Sequence, residues 1–175
     1  MKGEKLMKKL AVIAICLLFA APALAQSVGE RSGVNSLLGL SPSTADFVKE
    51  ATVSDMFEIQ SSQLAAERAD GPTKAFASQM ITDHQKTSNE LKALIQDIPT
   101  ALDSSHQKML DKFVGLNGAD FTKQYQSDQV SAHKDAVSLF QRYAKNGDNA
   151  ALKDWAGAKL PDLEHHLQMA QDLYK

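Results

Sequence analysis

Residues 121–144 read FTKQYQSDQVSAHKDAVSLFQRYA, and this stretch has the clearest helical pattern in the chain. Its apolar side chains recur every three or four residues, which is the period of one face of an α-helix. The stripe consists of Phe121, Tyr125, Ala136, Val137, Leu139, Phe140 and Tyr143. A run of Asn and Gly at 146–149 follows, with residues that stop one helix and cap the next. The pattern predicts a long amphipathic helix over residues 120–146.

Three other long segments have the same helical period. Proline, glycine and capping residues bound them at about 44–70, 72–98 and 150–174, and a shorter helix is predicted over 106–116. No stretch alternates apolar and polar residues as a strand would. Pro161 is expected to kink the last helix because proline removes a backbone donor. Long helices joined by mostly short turns predict an all-α, antiparallel four-helix bundle with a short extra helix between long helices two and three.

The first 25 residues have the three parts of a secretory signal peptide. Four lysines precede an apolar run of about twelve residues, which is shorter than the roughly twenty that cross a bilayer. Ala23 and Ala25 supply the small residues of a cleavage site. We therefore expect 1–25 to be removed, 26–43 to be a flexible leader and 44–175 to form the bundle domain. The expected location is the periplasm, with secretion or association with the outer envelope as alternatives, and no membrane-spanning segment is expected after cleavage.

Removal of the signal peptide changes the composition of the chain. It takes away four lysines, one glutamate and the single cysteine, which leaves 150 residues with a formal charge of −5 and no thiol. An acidic chain with its lysines and arginines spread singly argues against nucleic-acid binding. Motifs for a phosphate loop, a zinc protease or a serine hydrolase do not occur. The sequence leaves an enzymatic role undecided and favours a binding protein, with protein partners unknown.

Each long helix places one titratable residue within its apolar stripe. His133, for example, lies three residues from Val130 and four from Val137. The four interruptions, one per helix, are Glu58, His84, His133 and His166. Imidazole nitrogens and a carboxylate are good ligands for Zn, Cu, Fe or Mn, and bundles commonly build metal sites from facing helices. The sequence therefore nominates these residues as ligands of one transition-metal ion.

Four acidic residues lie near these positions in the sequence. Asp83, Asp128, Asp162 and Glu164 are candidates to accept hydrogen bonds from the imidazole N–H groups and so orient the ligands. The same inward residues also fit a second hypothesis, in which they form a metal-free, buried hydrogen-bond network in a non-enzymatic envelope or stress-related protein. The axial level of each residue along its helix decides between the two.

Four segments of the chain resemble the DUF4142 family of exported bacterial proteins of unknown function. They are ADFVKEATVSDMFEIQSSQLA at 45–65, KAFASQMITDHQKTSNELKAL at 74–94, FTKQYQSDQVSAHKDAVSLFQRYA at 121–144 and LKDWAGAKLPDLEHHL at 152–167. The resemblance implies a ferritin-like four-helix bundle, and the histidine pattern of the family falls on His84, His133 and His166. Its glutamate on the first long helix falls on Glu58.

The chain departs from the di-iron signature of the wider ferritin-like fold. That signature needs Glu-x-x-His on two helices, and the motif occurs nowhere in the sequence. The nearest approaches are Asp103-x-x-His106 and Asp162-x-x-His165. The sequence therefore favours a mononuclear, histidine-rich site or a metal-free polar core over a carboxylate-bridged di-iron centre.

Overall fold

A computed structural model describes residues 33–173 of the chain. The predicted signal peptide, most of the leader and Tyr174 lie outside the described residues. Within 33–173 the structure contains helices and no strands. The helices are α1 (Val34–Leu37), α2 (Thr44–Arg68), α3 (Gly71–Leu94), α4 (Ser104–Val114), α5 (Gly118–Asn146) and α6 (Ala150–Asp172). The all-α class predicted from the sequence is confirmed.

Side chains cap the start of four of these helices. Ser43 accepts a hydrogen bond from the backbone N–H of Asp46 at the start of α2, and Asp70 accepts one from Thr73 at the start of α3. Asp103 and Asn149 do the same for α4 and α6. Such caps satisfy backbone donors that have no partner within the helix. These four side chains therefore define where α2, α3, α4 and α6 begin.

Hydrogen bonds between helices establish how the long helices run. Thr44 and Tyr143 pair near one end of α2 and α5, and Ser62 and Tyr125 pair further along, so these helices are antiparallel. Helices α3 and α6 are antiparallel by the same reasoning, since Trp155 donates to Glu90 while His166 donates to Asp83. The 95–117 connection, which contains α4, carries the chain from the end of α3 back to the start of α5.

The core of the four long helices is divided into two apolar clusters. One contains Phe47, Leu91, Phe140, Tyr143, Leu152 and Leu163, and the other contains Phe57, Phe76, Met80, Phe113, Phe121 and Tyr125. Between them lies a band of buried polar side chains, which we call the polar layer: Asp55, Glu58, His84, Gln129, His133 and His166. Polar groups at this depth are costly unless they are paired, so the layer is where a functional site is expected.

Some helix boundaries differ from the predictions. Helix α3 ends at Leu94 rather than at 98, because Ile95 is extended and lets Ile95 and Ile98 both pack on the first apolar cluster. Helix α4 occupies 104–114 rather than 106–116 because Asp103 caps it, and α5 begins at Gly118 rather than at 120. Helix α6 continues through Pro161 and ends at Asp172, so the kink stays a prediction.

Gly147 ends α5 against a buried aromatic side chain. A Cβ at this position would lie 2.7 Å from both Cε1 and the carbonyl oxygen of Tyr143, whose ring stacks on Phe47 at a centroid distance of 3.9 Å. We expect Gly147→Ala to lower the free energy of unfolding by about 1–3 kcal/mol, as overpacking of a core does. Gly115→Ala is the control because nothing lies within 4 Å of its added Cβ. Urea unfolding checks the pair, and equal stabilities would contradict the account.

None of the helices in residues 33–173 combines the length and the apolar composition that a membrane-spanning helix needs.

Candidate metal centre

Three helices bring their histidines to one level of the polar layer. His84 on α3, His133 on α5 and His166 on α6 are all buried, and their ring centroids lie 5.5–5.6 Å apart in each pairing. One nitrogen from each ring lies within 4.8 Å of the other two. We call these three residues the histidine cluster. The sequence could place each residue on an inward face, and the structure adds that they meet.

Each imidazole is held by one of its two ring nitrogens. His84 Nδ1 pairs with Asp55 Oδ1 at 2.7 Å, and His166 Nε2 pairs with Asp83 Oδ2 at 2.9 Å. His133 Nδ1 pairs with the backbone carbonyl of Gln129 at 2.9 Å. Because each acceptor is a carboxylate or a carbonyl, the ring nitrogen facing it carries the proton. This is the arrangement in which outer partners orient metal-bound histidines.

The opposite nitrogen of each ring is buried and has no hydrogen-bond partner among the described residues. These atoms are His84 Nε2, His133 Nε2 and His166 Nδ1. A neutral imidazole that donates through one nitrogen presents a lone pair at the other. Unpaired polar nitrogens inside a protein cost free energy, and a metal ion is one group that all three, in the neutral form, could bind.

The spacing of the cluster fits one metal ion. If three atoms all lie within 4.8 Å of one another, some point is at most about 2.8 Å from each of them. Zinc–nitrogen distances are about 2.0–2.1 Å, so each imidazole needs to move by less than about 1 Å to coordinate a common ion. Small rotations about the side-chain bonds supply such a movement.

Burial and neighbouring charges set the protonation of the cluster. Burial, assisted by repulsion from His84, lowers the pKa of His133 to about 3 and also lowers the pKa of His166. Burial acts in the same direction on His84, but the hydrogen bond and the charge of Asp55, with help from Glu58, outweigh it and raise the pKa of His84. At neutral pH, His133 and His166 are therefore neutral, which is the form that binds metals.

Glu58 lies beside the histidine cluster and outside the group whose ligand atoms converge. Burial raises the pKa of its carboxyl to about 7, against an opposing attraction from His84. Both carboxyl oxygens lack a hydrogen bond of good geometry within residues 33–173, and so do both amide atoms of the neighbouring Gln129. The structure therefore places Glu58 near the cluster and beside Gln129, which lowers the pKa of its carboxyl without a hydrogen bond of good geometry.

The pH dependence of stability reports the state of Glu58 in metal-free protein. Between pH 7 and 4.5, acid protonates this carboxyl only in the folded state, which stabilises the fold. Unfolded histidines take up protons below about pH 6.5 while His133 does not, which destabilises the fold. Glu58→Gln removes the stabilisation that comes from protonating this carboxyl. We therefore expect the melting temperature of the variant to fall more steeply with acid than that of the wild type. Thermal melts across this range test it, and parallel profiles would contradict it.

The four predicted acidic neighbours lie at different distances from the cluster. Asp83 bonds to His166 and also accepts a hydrogen bond from Gln79. Asp162 lies near Lys159 and adds to the field at His166. Asp128 accepts from Gln124 and raises the pKa of Glu58 by its charge. Glu164 is exposed and accepts a hydrogen bond from Gln141.

Asp55 is the residue of the candidate site that sequence reasoning missed. It is buried on α2, orients His84 through one oxygen and accepts a hydrogen bond from Ser88 through the other at 2.9 Å. Its spacing of three residues from Glu58 puts it on the same helix face, and this was the available signal. The two remaining described histidines lie elsewhere: His106 bonds to its capping residue Asp103, and His165 is exposed.

A cleft of about 160 Å³ between α3 and α6 reaches the cluster from the surface. Its lining includes the imidazoles of His84 and His166, together with Asp83, Asp162 and His165. A larger cavity of about 340 Å³ is lined by Asp55 and includes His84 as its only residue from the cluster. The smaller cleft therefore contacts two of the three histidines and the larger cavity contacts one.

Comparison with known proteins identifies the family. The profile of the domain of unknown function DUF4142 matches residues 30–173, which is most of the chain and agrees with the resemblance of its four helical segments. No curated protein and no solved structure matches the chain. The match extends from the leader to the end of α6 and includes every residue of the polar layer. The chain therefore belongs to the DUF4142 family.

Proposed function

We propose that this protein binds one transition-metal ion through His84, His133 and His166. The observation that carries the proposal is the arrangement of the ring nitrogens. Each ring is fixed by a hydrogen bond on one side and has a buried, unpartnered nitrogen on the other, and the three rings meet at one level. Three imidazoles suit Zn, Cu or Fe, and a carboxylate such as Glu58 nearby adds Mn to the set.

The surroundings of the cluster support metal binding as well. Asp55 and Asp83 place negative charge behind two of the imidazoles, which raises their basicity as ligands and offsets the charge of a dication. The cleft lined by Asp83, Asp162 and His165 offers carboxylate and imidazole groups along the way in. Lys86 and Lys159 line the same cleft, so its charge is mixed. We therefore assign the cleft to the entry of the ion and not to a second binding site.

The proposed location is the periplasm, reached by cleavage of residues 1–25, with peripheral association with the envelope as a further part of the proposal. We also infer that the bundle is ferritin-like, a conclusion supported by antiparallel α2–α5 and α3–α6 pairs and by one long connection between α3 and α5. N-terminal sequencing of protein recovered from the periplasm tests export. An N-terminus at Met1 would contradict cleavage.

Metal analysis of untagged protein purified without chelator tests the proposal. We expect about one equivalent of metal per chain, and a rise in melting temperature when metal is returned to stripped protein. Ligand at 100 times its Kd stabilises a fold by about 2.7 kcal/mol. Less than about a tenth of an equivalent, together with no rise on adding Zn, Cu, Mn or Fe, would contradict it.

A metal-free polar network is the second candidate. The observation that favours it is the His84–Asp55 pair, which is buried on both sides and stabilises a protonated imidazole without any metal. In this case the cluster serves to fix the packing of the helices, in a non-enzymatic envelope or stress-related protein. A chelator then leaves the melting temperature of freshly isolated protein unchanged, whereas the metal-binding proposal requires it to fall.

A further inference from the structure

Helices α2 and α5 carry a column of polar residues that continues below the histidine cluster. Along α2 the column contains Asp55, Glu58 and Ser62, and along α5 it contains His133, Gln129 and Tyr125. Because the two helices are antiparallel, these residues face each other in successive levels, about one helical turn or 5–6 Å apart. The Ser62–Tyr125 hydrogen bond of 2.8 Å closes the lowest level. Glu58 and Gln129 therefore face each other between this bond and the histidines.

The middle level has far more hydrogen-bonding capacity than it uses. Glu58 is 1% exposed and Gln129 is fully buried. The Gln129 side chain lies close enough to lower the pKa of the Glu58 carboxyl, yet neither carboxyl oxygen and neither amide atom makes a hydrogen bond of good geometry in the described part of the chain. Native proteins rarely leave even one such atom unpaired, and each carries a desolvation cost. Four in one level, directly beside three unpaired imidazole nitrogens, indicate a binding position for a small polar ligand.

We propose that Glu58 and Gln129 hold a small exogenous ligand of the bound metal, a solvent molecule that a monovalent anion such as azide can replace. This inference rests on the proposed metal site. Three protein ligands leave a position open on a tetrahedral or larger coordination sphere, as in catalytic sites, whereas structural sites are closed by four protein ligands. The amide N–H of Gln129 donates to the exogenous ligand, and the Glu58 carboxyl exchanges a hydrogen bond with it.

This assignment gives Glu58 a role that matches its position. Its oxygens do not belong to the group of converging ligand atoms, so it acts on the ligand rather than on the metal. His84 attracts Glu58 electrostatically, and the backbone carbonyl of Gln129 holds His133, so both residues are tied to the cluster. An exchangeable ligand held in this way makes the centre one that can bind and discriminate small molecules.

Azide titration of the cobalt-loaded protein, followed by visible absorption, tests the inference. We expect azide to shift the cobalt spectrum of the wild type. Gln129→Leu removes the donor and is expected to weaken azide binding by about tenfold or more, the usual effect of losing a hydrogen bond to a charged group. The control Gln141→Leu changes an exposed glutamine on the same helix and should leave azide affinity unchanged.

A second readout separates ligand binding from packing. Leucine at 129 removes two unpaired buried atoms, so metal-free Gln129→Leu should melt at the same temperature as the wild type or higher while binding azide less tightly. Gln129→Met is the replacement variant if leucine does not fold, since it keeps the length of the side chain.

Two results would overturn the inference. If cobalt binds but azide leaves the wild-type spectrum unchanged, or binds the Gln129 variants equally well, the exogenous-ligand position is wrong and the metal site stands. If neither cobalt nor any of Zn, Cu, Mn and Fe binds, both the inference and the proposed function are wrong.

Discussion

His166→Ala is expected to weaken metal binding by at least about 100-fold, whereas His165→Ala leaves it unchanged. Loss of a residue that only orients a ligand typically costs 10- to 100-fold in metal affinity, and the loss of one of three ligands costs more. The two histidines are adjacent in the sequence on α6, but His166 is buried in the cluster and His165 is exposed. The two variants therefore make the same substitution at adjacent positions of α6, one inside the histidine cluster and one outside it.

Competition with a chromogenic chelator measures the two affinities directly. The wild type and His165→Ala should retain about one equivalent after dialysis, and His166→Ala should retain almost none. If His166→Ala keeps a full equivalent at wild-type affinity, the ion is held elsewhere and the proposed site is wrong. Circular dichroism of both variants shows whether the helices are intact.

Asp55→Ala is expected to destabilise the metal-free protein by about 3–5 kcal/mol. Breaking a buried pair by removing one partner leaves an uncompensated group in the interior, and this is the usual cost. The change removes the partner of His84 Nδ1 and the acceptor for Ser88 at once. Asp55 raises the pKa of His84, so Asp55→Ala also shifts His84 towards its neutral form. At high pH the loss of stability is therefore expected in the lower part of the range of about 3–5 kcal/mol.

Asp103→Ala provides the matched control for Asp55→Ala. Asp103 also pairs with a histidine, His106, at 2.9 Å, but both side chains are partly exposed. Its loss removes a helix cap and a solvated pair, for which about 1 kcal/mol is expected. Urea unfolding of metal-stripped proteins measures both. Equal losses of unfolding free energy in the two variants would show that the buried Asp55–His84 pair contributes no more to stability than the partly exposed Asp103–His106 pair.

The fold could be predicted from the sequence because the decisive signals are local. Apolar stripes, the Asp70-Gly71-Pro72 turn and the Asn149 cap define helices without knowledge of their neighbours. The end of α3 was missed for a non-local reason. Ile95 continues the helical period, but its backbone becomes extended so that Ile98 can also reach the apolar cluster.

The site was only partly predictable. Periodicity shows that His84, His133 and His166 face inward, but it does not give the height of each residue along the bundle, which depends on how the helices pack. The same limit applies to Glu58, which periodicity places inward with the histidines and which the structure places beside the converging nitrogens, so its role as a ligand stays a prediction. Asp55 and Gln129 escaped notice because their importance comes from partners on other helices or from the absence of any partner in the described chain.

The position of a bound ion in a crystal is the sharpest test of the proposed three-histidine site. We propose crystals of metal-loaded protein and an anomalous difference map recorded at the absorption edge of that metal. We expect one peak at about 2.0–2.2 Å from His84 Nε2, His133 Nε2 and His166 Nδ1. A peak at another site, or no peak among these three nitrogens in crystals of protein that carries a full equivalent, would contradict it.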